Sequence, residues 1–211
     1  MTAIVRHLGS PHDDEAVCRI FRATLALGRP LDRVPRGMRA YEQLCLGWYL
    51  DEGRRDARVL ADDGSVIGYA LVCTDEPGHD RWVRRRAPAV GLRAVAGAVV
   101  SGLWRKRLHD AAVLHALPRP AGAHAHMNLA RGARSVSGAL ALCLEIDQIC
   151  RNAGHAAWYG EVNARAGRRA NALERVIGEV VHHSPNHTLT WMTGSPVERL
   201  TVVRRLDAVA A

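Results

Sequence analysis

Two histidines separated by one residue, His124 and His126, carry the side chain best suited to proton transfer near neutral pH. They lie at 124–130, a segment that predicts a β-strand, and residues two apart on a strand point to the same side. Both imidazoles can therefore accept a proton from one surface, directly or through water. Two other interpretations stay open, in which the rings are hydrogen-bonded inside the sheet or are solvated. A metal site would need a third ligand, and we expect no metal.

A turn of small residues follows this strand and leads into a predicted helix. At a helix start the first backbone N–H groups lack intrahelical partners and carry a partial positive charge, so a diphosphate can dock there if side chains stay small. The small residues are Ser135, Ser137, Gly138 and Ala139. The helix beyond them has one apolar face, with apolar residues at steps of three and four up to Cys150, and Gly154 ends it.

This segment resembles motif A of the GCN5-related N-acetyltransferases, the GNAT family, which reads Arg or Gln, two residues, Gly, one residue, then Gly or Ala. Arg134 opens the motif here, Ser137 replaces the usual glycine, and Ala139 closes it. The resemblance implies that N–H groups at 135–139 hold the pyrophosphate of coenzyme A, while the end of the preceding strand pairs with its pantetheine arm. The cofactor-binding residues implied in this way are Leu129, Ala130, Arg134, Ser135, Val136, Ser137, Gly138, Ala139 and Asn163.

The same resemblance suggests roles for the other site residues. The His-x-His pair is similar to that of serotonin N-acetyltransferases, where it relays the proton of the amine. Asn163 matches an asparagine that follows the fifth strand and touches the cofactor arm, although it also suits a loop or cap. Many members protonate the departing thiolate with a tyrosine four residues before a helix-ending glycine, and Glu174 stands there instead. Tyr159, Glu174 and solvent remain open as the proton donor, and Tyr159 also suits a packing role.

The predicted elements that position these residues follow the order of the acetyltransferase fold. They are a strand at 4–8, helices at 11–27 and 36–50, a hairpin of 57–61 with 66–73, the strand at 124–130 and its helix, a strand at 156–162, a helix at 166–178, and a closing hairpin of 180–191 with 197–205. The sequence therefore predicts an α+β (α/β) acyl-CoA N-acyltransferase (GNAT) fold with a mixed, largely antiparallel sheet flanked by helices on both faces. We expect one domain over residues 1–211, with an insertion at 75–122.

Composition narrows the class of protein. The chain carries a net charge of +8, and eight of its basic residues lie between Arg81 and Arg107, a stretch with no acidic residue. We interpret residues 81–108 as a helix on its own domain, and a cationic lid over a pocket or a peripheral contact with an anionic membrane are the alternatives. Five cysteines without Cys-x-x-Cys spacing, and no apolar segment suited to secretion or membrane insertion, favour a cytoplasmic protein.

These observations predict a coenzyme A-dependent N-acyltransferase. Acetyl-CoA or another acyl-CoA is the expected donor, and the acceptor is an amine of a small molecule or peptide that attacks the thioester directly. A catalytically weak or inactive GNAT-like acyl-CoA-binding protein is the alternative, because Ser137 and the missing tyrosine depart from the family pattern. A nucleic-acid-binding protein is less favoured, since the aromatic residues fall on apolar stripes. The sequence leaves a homodimer open.

Overall fold

The computed structural model describes residues 3–28, 30, 38–100, 102–165 and 174–206, which form one seven-stranded sheet with helices on both faces. The strands are β1 (Ile4–His7), β2 (Ala57–Asp62), β3 (Ser65–Cys73), β4 (Ala123–Leu129), β5 (Ala157–Arg165), β6 (Glu179–Pro185) and β7 (Val197–Arg205). The helices are α1 (Pro11–Thr24), α2 (Met38–Leu50), α3 (Glu76–Val100), α4 (Gly102–Ala116), α5 (Val136–Asn152) and α6 (His187–Thr193), with short 3-10 turns at Arg54–Asp56 and Arg131–Ala133.

The order of the strands in the sheet is β1-β2-β3-β4-β5-β7-β6. Every neighbouring pair is antiparallel except β4 and β5, which run parallel at the centre of the sheet. The helix α5 supplies the crossover that a parallel pair requires. The predicted fold class, a mixed and largely antiparallel α+β sheet, is confirmed.

The two faces of the sheet bury different cores. On one face α1 and α2 pack over a cluster that contains Phe21, Tyr49 and Tyr69, and on the other face α5 packs through Leu142 and Ile146. Because side chains alternate along a strand, β4 turns its histidines to the α1/α2 face and its apolar residues to α5.

Local sequence signals explain several element boundaries. Ser10 caps α1, its hydroxyl accepting from the N–H of Asp13, whose carboxylate accepts in turn from the N–H of Ser10. Arg6 of β1 donates two hydrogen bonds to the same carboxylate and joins the strand to the helix. The β2–β3 hairpin turns through Asp63 and Gly64, both with positive φ, as an Asp-Gly pair predicts.

The segment predicted to be an insertion, residues 75–122, contains the helices α3 and α4. Trp82 of α3 is only 1% exposed, and the guanidinium of Arg86 lies 4.2 Å above its ring. Leu103 and Trp104 of α4 are also buried. The segment therefore packs on its own domain, as the favoured interpretation predicted. No helix in the described ranges has the length and apolar character needed to cross a bilayer.

Two predictions for the C-terminal part were wrong. The strand expected at 180–191 ends at Pro185, because Asn186 accepts a hydrogen bond from the N–H of Leu189 and starts α6. The strand expected to end at residue 162 continues to Arg165, so Asn163 lies inside β5 rather than after it. Most of the helix predicted at 166–178 and the first two residues of the helix predicted at 36–50 lie outside the described residues.

Candidate active site

A wedge-shaped gap opens between the two parallel strands at the centre of the sheet. The strands β4 and β5 pair only at Ala123 with Trp158 and at His124 with Tyr159. They are still close at the next position, where a Cβ on Gly160 would lie 2.7 Å from the carbonyl oxygen of Ala125. No further pair joins them within the described ranges, although β4 continues to pair with β3, and β5 with β7.

The alternating hydrogen bonds of the β3–β4 pair show which backbone groups of β4 face this gap. The N–H of Ala130 donates to the carbonyl of Ile67 on β3, so alternate residues back along β4 also turn their backbone to β3. The residues between them, Met127 and Leu129, turn their backbone N–H and C=O to the gap. Leu129 is therefore available to pair with an extended ligand, whereas the N–H of the other predicted residue, Ala130, is engaged.

The predicted phosphate site at the start of α5 is smaller than the sequence suggested. Ser135 is the N-cap, and its hydroxyl accepts from the N–H of Gly138 while its carbonyl accepts from the N–H of Ala139. Those two donors, expected to hold phosphate, are engaged within the protein. Val136 and Ser137 keep exposed first-turn positions, whose N–H groups have no partner in the helix. The hydroxyl of Ser137, where the family has glycine, donates to that of Ser135 at 3.2 Å.

Arg134, the residue that opens the motif, reaches across to the end of α1. Its guanidinium donates to the carbonyl oxygen of Gly28 at 2.6 Å, and a Cβ on Gly28 would collide with it. Gly28 has a φ of +81°, a conformation that glycine adopts without strain. Arg134 therefore joins the loop after α1 to the start of α5, next to the exposed N–H groups.

His124 is held between two polar side chains that the sequence did not identify. Its Nδ1 lies 2.7 Å from the hydroxyl of Tyr49 on α2, and its Nε2 lies 3.0 Å from a carboxylate oxygen of Glu161 on β5. Burial raises the pKa of Tyr49 far above its usual value, so the phenol keeps its proton and donates to Nδ1. The imidazole then donates from Nε2 to Glu161.

The main electrostatic feature of this site is the negative charge of the Glu161 carboxylate. Burial alone would raise the pKa of the carboxyl, but the hydrogen bond and charge of His124, with the charge of Arg199, lower it to about 2. Glu161 is therefore ionised at neutral pH and stabilises a protonated imidazole beside it, as the acidic partner of a catalytic histidine does. About a third of each side chain is exposed, so a substrate proton can reach the pair.

His126 lies in a different environment from His124. Its ring packs edge-on against Phe21 and Tyr69, with ring centroids 5.8 Å and 5.6 Å away. Burial, with a smaller contribution from the charge of His124, lowers its pKa to about 4. A neutral imidazole that resists protonation is a poor proton acceptor at pH 7. The two histidines therefore differ as proton acceptors, although the sequence predicted the same role for both.

Solved structures, several of them named as acetyltransferases, share this arrangement of elements. SsHAT is 20% identical with a TM-score of 0.59, and the match covers 97% of this chain and 98% of that one. The yncA structure from Salmonella typhimurium, which contains its cofactor acetyl-CoA, is 14% identical with a TM-score of 0.57, covering 100% and 98%. A polyamine N-acetyltransferase of Drosophila melanogaster is 13% identical with a TM-score of 0.55, covering 97% and 100%.

The chain has the GNAT N-acetyltransferase fold. No family model and no curated protein matches it, so the GNAT fold is recognised from the solved structures. Identities of 13–20% support a shared fold only, and the chemistry depends on the side chains of this chain.

The two candidate proton donors, Tyr159 and Glu174, lie on opposite faces of the sheet. Tyr159 packs its ring 5.2 Å from that of His124, and burial raises its pKa, so it remains a protonated phenol. Glu174 is exposed, and the segment that follows it packs through the carbonyls of Val176 and Ile177 on Arg204, on the α5 face. The structure therefore brings Tyr159, but not Glu174, to the histidine.

Asn163, which was predicted to touch the cofactor arm, has a hydrogen-bond partner within the protein. It lies on the same face of β5 as Glu161, and its side-chain oxygen accepts from the amide of Asn186 at 2.8 Å. Asn186 in turn caps α6. Asn163 thus fixes α6 against the sheet.

A cleft on this face opens beside the histidines. The cleft is narrow, with about 10 Å³ open to the centre of a water-sized sphere, and its lining is Leu25, Met38, Tyr41, Leu103, Trp104, Arg107, Leu189 and Met192. Tyr41 contacts Phe21, which contacts His126, so the cleft lies one side chain away from the histidine pair. Its walls are mostly apolar, as in many small-molecule sites. In the described part of the chain, no cluster of His, Cys, Asp or Glu is arranged to hold a metal ion.

Proposed function

We propose that this chain is a coenzyme A-dependent N-acetyltransferase that transfers an acetyl group from acetyl-CoA to an amine. The observation that supports this most is the gap between β4 and β5, which ends at His124 and Tyr159 in a sheet of GNAT topology. A parallel pair at the centre of a sheet normally continues its hydrogen bonds. A ligand with amide groups would complete them here.

The residues that fit the donor are those with free backbone groups along this gap. Met127 and Leu129 would pair with the amides of the pantetheine arm, and the first-turn N–H groups of Val136 and Ser137 would bind the pyrophosphate. Arg134 lies beside that helix start and adds positive charge. Acetyl-CoA supplies an activated thioester carbonyl, and the chain supplies position and proton transfer.

The amine must lose a proton to attack, since an unperturbed alkyl amine is almost fully protonated at pH 7. The amine nitrogen forms a bond to the carbonyl carbon, and the carbon–sulfur bond breaks as the intermediate collapses. Nε2 of His124 already donates to Glu161, so the proton enters at Nδ1: the Tyr49 hydroxyl gives its proton to Nδ1 and takes up the proton of the amine, and the imidazolium formed lies next to Glu161. Tyr159, which packs beside His124 at the closed end of the gap, is the candidate that protonates the departing thiolate, with solvent as the alternative.

Thermal unfolding with and without acetyl-CoA tests donor binding, and a thiol-release assay with an amine panel tests transfer. We expect acetyl-CoA to raise the melting temperature and at least one amine to release thiol. The double variant Val136→Pro with Ser137→Pro removes the two N–H groups at positions where a helix tolerates proline, and should abolish the thermal shift. A melting temperature that acetyl-CoA leaves unchanged would refute the proposal.

The second candidate function is an acyl-CoA-binding protein without catalysis, favoured by Ser137 in place of glycine and by the exposed position of Glu174. Against it stands the His124–Glu161 pair, a charged arrangement that binding alone does not need. Acetyl-CoA protection without thiol release from any amine would favour this candidate.

A further inference from the structure

Arg199 is a buried charge that the transfer chemistry does not use. It lies on β7, on the same face of the sheet as Glu161, and it is 6% exposed. Its Nη1 is fully buried and has no hydrogen-bond partner in the described part of the chain. A buried guanidinium without a partner is costly, so proteins keep such groups satisfied or use them to bind ligands.

The acidic groups that face Arg199 are already engaged. Asp110 of α4 accepts from the N–H groups of His187 and Thr188 and from the Thr188 hydroxyl. Glu161 accepts from His124. Both carboxylates lower the cost of burying the positive charge, but neither lies within ion-pair distance of it among the described residues. The guanidinium therefore keeps donors for another anion.

Glu161 and Arg199 are diagonal neighbours on adjacent strands, because Glu161 is opposite Thr201 and Asn163 is opposite Arg199. Side chains in this relation have Cβ atoms about 7 Å apart. A negative and a positive group at this spacing match a ligand with an ammonium at one end and a carboxylate at the other. The apolar cleft lies on the same face of the sheet as the pair, because its wall residue Tyr41 contacts Phe21, which packs on His126.

We infer that the acceptor is an amino acid with an apolar side chain, and this inference rests on the proposed N-acetyltransferase function. The carboxylate of the acceptor binds Arg199, its ammonium binds Glu161 and gives its proton to His124 through the Tyr49 hydroxyl, and its side chain packs on the apolar cleft lined by Leu103 and Leu189. Amines that lack the carboxylate leave the buried guanidinium without a partner and are poor acceptors.

Matched acceptors test the inference on the wild-type protein. We expect kcat/KM for leucine and phenylalanine to exceed that for their decarboxylated amines, 3-methylbutylamine and 2-phenylethylamine, by at least about tenfold. Leucine amide, which keeps the carbonyl but loses the charge, should resemble the decarboxylated amines. A preference for decarboxylated amines, spermidine or agmatine would overturn the inference while leaving the N-acetyltransferase function intact.

Two variants link the preference to Arg199. Arg199→Met should reduce the ratio of kcat/KM between leucine and 3-methylbutylamine to about one, and Arg199→Lys should restore part of it. The matched control is Arg205→Met, on the same strand with a side chain 78% exposed, which should keep the wild-type ratio. An unchanged ratio in folded Arg199→Met would overturn the inference. A rise in melting temperature with acetyl-CoA verifies that each variant is folded. If a variant does not fold, the comparison of acceptors on the wild-type protein still tests the inference.

Discussion

Replacing Glu161 by glutamine tests the site most directly, because it removes one charge and keeps the shape of the side chain. The carboxylate lies 3.0 Å from Nε2 of His124, and its pKa is lowered from 4.5 to about 2. At about 1.4 kcal/mol for each tenfold change in acidity, this corresponds to about 3 kcal/mol of interaction. Since the side chain is 32% exposed, solvent screening reduces the usable part to about 1–2 kcal/mol.

We therefore expect Glu161→Gln to lower kcat/KM at pH 7 by about 5-fold to 30-fold, because a protonated His124 loses that stabilisation. The assay is thiol release at saturating acetyl-CoA, with the thermal shift by acetyl-CoA as a measure of donor binding. The shift should be unchanged. The matched control is Glu145→Gln, which breaks a 2.8 Å ion pair with Arg58. A Glu161→Gln rate within twofold of wild type would refute the assigned role.

The same variant has a predicted effect on stability. A carboxyl whose pKa is lowered on folding stabilises the protein above its unfolded pKa of about 4.5 and loses this contribution as the pH falls toward 2. Urea unfolding at several pH values should therefore show a smaller loss of stability across this window for Glu161→Gln than for wild type. Parallel curves for the two proteins would contradict the lowered pKa.

Three further predictions concern other parts of the molecule. His126→Gln should lower turnover by less than about fivefold, against about a hundredfold for His124→Gln, because the lowered pKa keeps His126 neutral; equal losses in steady-state assays would contradict this. Asp147→Asn should cost about 3 kcal/mol in urea unfolding, since the 3% exposed carboxylate accepts from an arginine and a tryptophan, and a loss below 1 kcal/mol would refute the assignment. Gly160→Ala should cost about 2 kcal/mol, because its Cβ would lie 2.7 Å from the carbonyl oxygen of Ala125, and unchanged chemical denaturation would argue against so close an approach.

Alternation and capping made much of the framework predictable from the sequence. The two histidines share a face because strand geometry requires it, and Ser10 starts α1 because its hydroxyl accepts from the N–H of Asp13, which the helix leaves free. The predictions failed where a local signal competed with hydrophobic periodicity. Asn186 is such a case, because it caps a helix within residues 180–191, whose composition otherwise predicts one long strand.

The partners of His124 could not be predicted in the same way. Glu161 is 37 residues away and Tyr49 is 75 residues away, so their meeting depends on the register between strands and on the placement of α2. One signal was available, since Glu161 is an acidic residue on the same face of its strand as Tyr159. The smaller number of free N–H groups at the start of α5 was also not predictable, because it depends on the hydrogen bond that Gly138 donates to the Ser135 side chain.

The two residue pairs between β4 and β5 have a mechanical consequence. They are the sole ladder joining a four-stranded half of the sheet to a three-stranded half in the described ranges, with α5 packed across the seam. Either half can tilt against the other at little cost in backbone hydrogen bonds. A donor molecule bound in the wedge would contact both strands and restrict this tilt. The amide hydrogens of β4 and β5 should therefore exchange more slowly when the donor binds.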